Sequence, residues 1–156
     1  MGLKQELKLN EPFKLKGHEP LLNIYFTATC IKKHAVEFLR PFGLTDVQLN
    51  LMLLLKHQVK EGKGLSQARL SDMMLVNRAN ITSLIDRMEQ KGFVRRTAAE
   101  DDRRYNIIML NAKGKKLIEK VEPLYAKEVT KTMAVLNEAE QTKIMKMLEK
   151  IRTNIA

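Results

Sequence analysis

The 156-residue sequence contains one cysteine, Cys30, and no tryptophan. A lone cysteine forbids an internal disulfide framework and cannot build a cysteine-based zinc site by itself. Aromatic residues make up only 5% of the chain, too few for the stacking platforms that hold single-stranded nucleic acid. The longest apolar run, Leu51–Leu55, is five residues. A membrane span needs roughly 18, so no membrane partner is expected. Charges begin at Lys4 without the apolar stretch of a secretory signal, and a cytoplasmic location is expected. Acidic side chains are also scarce, 18 Asp and Glu against 28 Lys and Arg, a formal net charge of +10. What is present is a 44% hydrophobic content, enough for a real core at this length and incompatible with disorder throughout. The excess positive charge makes nucleic acid the first partner to consider.

That excess is not spread evenly. Residues 65–116 carry 11 basic and 6 acidic side chains, half of the net charge in a third of the chain. Much of it is arginine: Arg69, Arg78, Arg87, Arg95, Arg96, Arg103 and Arg104. Clustered guanidinium groups favour a phosphate-binding face over an ordinary solvated surface.

Residues 1–18 lack helical periodicity and read as an arm. Pro20 suits the first turn of a helix to about Leu39 that is apolar on more than one side, so it is expected between partners. Pro41 and Gly43 stop it. Thr45 and Gln48 form a capping box for a helix from Asp46 to about Val59. Ser66 caps a short helix to about Met74, with Ala68, Leu70 and Met73 as candidate inward positions. After the connection Leu75–Val76, Asn77 caps a helix to about Lys91 whose Ile81, Leu84, Ile85 and Met88 share one face. Gly92 ends it. Two β-like runs, Phe93–Thr97 and Tyr105–Leu110, flank a charged tip and read as a hairpin. Asn111 caps a long helical region in which Pro123 predicts a kink or restart. Asn137 and Glu140 cap the last helix, with Ile144, Met147, Leu148 and Ile151 on one side.

A short helix, a tight connection, a second helix and a basic hairpin make a winged helix-turn-helix in a mainly α chain with a small β wing. With its core face buried, the second helix offers Arg78, Ala79, Asn80, Thr82, Ser83 and Arg87 to the outside. A major groove admits one helix, and these side chains can read base edges or hold phosphates. Small Ala79 and Ser83 permit close approach, Asn80 suits adenine, and Arg87 suits guanine or phosphate. Ser66 and Gln67 at the preceding helix, with Arg95 and Arg96 on the hairpin, complete the basic surface.

From about His18 to Ile155 the chain resembles the MarR (multiple antibiotic resistance regulator) family of transcriptional regulators. The segment Leu84–Arg96, LIDRMEQKGFVRR, is similar to that family's link between recognition helix and wing. Asp102 through Leu110 matches its Asp-x-Arg-x-x-x-Val-x-Leu wing signature, with Ile108 in the valine position. Gly43-Leu44-Thr45, Gln48 and Lys113-Gly114 also fall on comparable residues, while Asn111 replaces the family's usual threonine and keeps the cap. The resemblance implies a homodimer whose helical dimerisation region is 19–44 with 112–156, around a winged helix-turn-helix at 45–111. It implies that Asn77–Lys91 is the recognition helix and that Arg104, oriented by Asp102 and accompanied by Arg103, works at the minor groove. It also implies a cleft for small phenolic or anionic effectors. Tyr25, His34 and His57 are offered as its lining because they are polar rings on adjoining helices. Double-stranded DNA with an inverted repeat is the expected partner, and repression the expected mode.

Cys30 and His34 stand four apart on the first helix, a spacing that suits one metal ion, but there is no second compact pair. Metal and cofactor are expected to be absent, and Cys30 reads as a small core or interface residue. In peroxide-sensing members of the family the reactive cysteine sits earlier, near the position of Leu21. No nucleophile–base pair, glycine-rich phosphate loop or paired carboxylate marks an enzyme. Two alternatives stay open: a metal- or ligand-sensing dimer, or a protein-interaction dimer whose winged helix does not read DNA.

Overall fold

The computed structural model describes residues 2–59, 64–74, 77–98 and 106–155, the side chain of Arg78 excepted. In chain order the elements are α1 (Leu3–Glu6), α2 (His18–Leu39), α3 (Asp46–His57), β1 (Leu65–Ser66), α4 (Gln67–Met74), α5 (Arg78–Gln90), β2 (Val94–Ala98), β3 (Asn106–Leu110), α6 (Ala112–Met133) and α7 (Glu138–Ile155). A 3₁₀ turn, Arg40–Phe42, closes α2.

Local chemistry sets the helix starts. The Thr45 hydroxyl accepts the Gln48 amide at 3.2 Å, and the Gln48 side chain accepts the Thr45 amide at 3.1 Å. Asn77 accepts from the Asn80 amide at 2.8 Å, Asn111 from the Gly114 amide at 2.9 Å, and Ser66 from the Arg69 amide at 3.2 Å. Asn137 and Glu140 exchange the reciprocal pair that opens α7. Each cap satisfies a backbone donor that the helix leaves unpaired. Gly43 and Gly92 end their helices at φ +63° and +71°, a conformation that side-chain-bearing residues resist.

The three strands form an antiparallel sheet in the order β1-β3-β2, so β3 is central. One core joins this sheet to the helices around it. Leu51 and Met52 of α3, Leu70 of α4, Ile81, Ile85 and Met88 of α5, Ile108 of β3 and Ile118 and Val121 of α6 are all buried in it. Leu39 at the end of α2 belongs to it too. The junction between β3 and α6 is backbone on backbone. Asn111 donates its amide to the Phe93 carbonyl at 3.1 Å, and a Cβ on Gly114 would stand 2.1 Å from that same carbonyl oxygen. No side chain larger than glycine's fits there.

Four expectations are corrected. The lead-in is not irregular throughout, because Leu3–Glu6 is a helical turn with Leu3 buried. Ala68 faces solvent, and Ser71 joins Leu70 on the inner side of α4. The sheet has a third strand, β1, held by pairing of Leu65 with Ile108 and Ser66 with Ile107. Of the kink or restart expected at Pro123, the restart is excluded, since α6 runs through it.

The helices at the two ends of the fold differ from the rest. Along α2 only Leu39 is buried, and α7 has no buried residue. Leu21, Ile31 and Val36 on α2, and Ile144, Met147 and Ile151 on α7, stand 42–57% exposed. Among the described residues no helix is long and apolar enough to cross a membrane.

Candidate nucleic-acid interface

The surface expected to read DNA is centred on α5. Four buried residues, Ile81, Leu84, Ile85 and Met88, fix its inner side. That leaves Ala79, Asn80, Thr82, Ser83 and Arg87 exposed on the other. Asn80, Arg87 two turns further on, and Lys91 at the end of α5 line a groove of about 550 Å³, with Thr45 and Asp46 at the start of α3 opposite. The Gln67 side chain donates to the Thr82 hydroxyl at 2.7 Å and so ties α4 to α5 at the outer surface. Lys91 donates to the Gly43 carbonyl at 2.9 Å, which anchors the end of α5 against the turn before α3. The surface is thus a helix held at both ends with its small polar residues facing outward.

The wing strands carry two adjacent arginines with opposite roles. Successive strand residues point to opposite faces, and Val94 is buried, so Arg95 faces out and Arg96 in. Arg95 is exposed and has no side-chain partner among the described residues. Arg96, expected on the DNA surface, is instead half-buried and turned onto α5. Its guanidinium donates to both Asp86 and Glu89, and its amide donates to Glu89 Oε1 at 3.0 Å. Burial is the largest single influence on this group and works against its charge. The hydrogen bonds and negative charges of the two carboxylates outweigh that influence and hold its pKa above the ordinary arginine value. The Asp86-x-x-Glu89 spacing, two residues of one helix face, was the signal available for this clamp.

Asp102, Arg103 and Arg104 lie outside the described residues, as do the side chain of Arg78, the Leu75–Val76 connection and Tyr105. Of the three rings offered for an effector cleft, His34 lines the cavity between α2 and α6. His34 joins Cys30, Phe38, Tyr125, Glu128 and Met133 around a space of about 450 Å³ between α2 and α6. Its Nε2 lies 3.1 Å from Glu128 Oε2. Tyr25 is 64% exposed and is not among the lining residues. His57 turns to α6, where Glu122 binds both it and Lys56. The Lys56 hydrogen bond holds the Glu122 carboxyl below the usual carboxylate range, opposed by burial and assisted by His57. Among the described residues no three His, Cys, Asp or Glu side chains converge as a metal site.

The MarR family model matches residues 44–105, from just before α3 to the residue before β3. The HTH-type transcriptional regulator MhqR of Bacillus subtilis is 29% identical over 124 residues, covering 80% of this chain and 83% of that protein. Residues 44–105 thus carry a MarR-family domain. The relatives the chain matches share the description HTH-type transcriptional regulator. Two solved structures share the fold of this chain. The repressor CouR, bound to a 23-mer DNA duplex, superposes with a TM-score of 0.75 at 23% identity, covering 91% of this chain and 99% of CouR. The organohalide-sensing regulator RdhR in its 2,4-dichlorophenol-bound form gives 0.79 at 18% identity, covering 94% and 87%.

Proposed function

We propose that this MarR regulator is a cytoplasmic homodimeric repressor that reads an inverted repeat in duplex DNA. Residues 45–111 supply the reading lobe, with α5 in the major groove and the wing on the flanking minor groove. The dimerisation region is 19–44 with 112–156. The observation that carries the reading is the two-sidedness of α5: an inner face sealed in the core and an outer face on which Ala79, Asn80, Thr82, Ser83 and Arg87 are exposed. Base edges are read by side chains of this size and polarity, and phosphates are held by cations such as Arg87 and Arg95. The exposed apolar residues of α2 and α7 support the homodimer, since two long helices do not stay solvated with such faces uncovered. No catalytic role belongs to this reading.

An effector enters the same scheme at the cavity between α2 and α6. Its lining is mostly carbon, with His34 and Glu128 as its ionisable pair. Of the phenolic and anionic ligands the family resemblance implies, a neutral phenol fits this lining better than an anion beside Glu128. RdhR, caught with 2,4-dichlorophenol, supports that choice.

Selection of bound duplexes from a random pool, followed by footprinting, tests the proposal. Half-site centres are expected about 10–10.5 base pairs apart or a small multiple of that. Log affinity should fall linearly with log salt. Arg87→Ala should reduce the salt slope, and Asn80→Ala should relax preference at one position of each half-site. A single unsymmetrical half-site, or a salt slope near zero, would leave the winged helix a scaffold for some other partner.

A further inference from the structure

The wing and the recognition helix are joined by one side chain. β2 leaves α5 through the Gly92 turn and runs back along it, so Arg96 passes Glu89 and then Asp86, one helical turn further on. Its planar fork meets both carboxylates, and its backbone amide meets Glu89 as well. Three bonds from one residue to two points on a helix fix a direction as well as a distance. A lysine has no fork with which to do this. Arg96 also pairs with Ile108 at the centre of the sheet, so the clamp acts where β2 and β3 are already joined.

We infer that Arg96 is a positioning residue for DNA recognition: by gripping Asp86 and Glu89 it sets the angle between wing and α5, so that both reach one duplex together. It does not itself touch DNA. Two contacts on one rigid frame bind as a single event, whereas a wing free to swing must be ordered at each encounter. The inference rests on the DNA reading above.

The experiment uses the full chain, a selected full-length duplex and a trimmed duplex lacking the flanking base pairs that the wing protects. The variants are Glu89→Gln and Arg96→Lys. Glu89→Gln removes a negative charge and by charge alone should tighten binding. Arg96→Lys keeps the charge and loses the fork. Positioning predicts that both weaken binding to the full duplex by about tenfold, the scale of one lost DNA contact. Both should erase the flanking protection and leave affinity for the trimmed duplex unchanged. The inference is overturned if Glu89→Gln binds the full duplex as tightly as wild type or tighter, or if Arg96→Lys matches wild type. Equal losses on both duplexes overturn it too, because they mark a general loss of fold. If wild type does not distinguish the two duplexes, the inference falls with the wing part of the proposed function. If wild type binds neither, the DNA reading falls first.

Discussion

Helices α5 and α7 are written in the same amphipathic code, yet only one is buried by its own chain. The apolar side of α5 closes on α3, α4 and the sheet, and its four core residues are at most 4% exposed. Among the described residues the apolar side of α7 meets no equivalent surface, and Ile144, Met147 and Ile151 stay open. A helical stripe states that a partner is required; it does not state which chain supplies it. In the lobe the partner is local, whereas at the chain's two ends it is proposed to be a second copy.

The comparison breaks first at the core. Ile85→Ala should cost about 2–5 kcal/mol by chemical denaturation, a difference from wild type that stays the same at every protein concentration. Gly114→Ala should cost about 1–3 kcal/mol or more, because the Phe93 carbonyl cannot retreat without moving β2. On the other side of the comparison, Ile144→Lys combined with Ile151→Lys should convert a dimer to a monomer in sedimentation. The concentration dependence of Tm should vanish with it while the lobe stays folded. A stable wild-type monomer at micromolar concentration would end the comparison.

Arg104→Ala sharpens it, because that residue is expected to serve binding alone: a loss of about 1–3 kcal/mol in DNA affinity with Tm unchanged. The smallest effect is at Glu122, which ties α6 to Lys56 and His57 of α3. A carboxyl whose pKa is lowered by folding stabilises the fold at neutral pH. That contribution disappears as pH falls through the carboxylate range toward the lowered value. Glu122→Gln should therefore cost less than about 1 kcal/mol at pH 7. The gap to wild type should close on acidification, as melting curves from pH 7 to pH 3 would show.

What was legible in the sequence was what acts over short range. The Thr45–Gln48 and Asn137–Glu140 boxes, and the Asn77 and Asn111 caps, each involve residues three apart, and each stands where the spacing puts it. The inner face of α5 is equally local. Strand β1 is two residues with no pattern of its own, and it exists because β3, over forty positions later, offers an edge. The inward turn of Arg96 depends on a strand folding back over α5, and the lone use of His34 depends on where α6 crosses α2. Ala68 read as apolar by composition, but its neighbour Ser71 holds the inner position. Pairings across tens of residues leave no periodicity to read.

The joint at Asn111, Gly114 and Phe93 has a practical meaning for anyone who would re-engineer this regulator. Because Ile118 and Val121 of α6 and Leu39 of α2 sit in the same core as α5, a transplant cut at residues 45 and 111 would leave that core open at two sides. A cassette whose borders lie outside residues 38 and 125 keeps that core closed, and a chimera built on such borders is expected to carry its DNA preference into a foreign dimer.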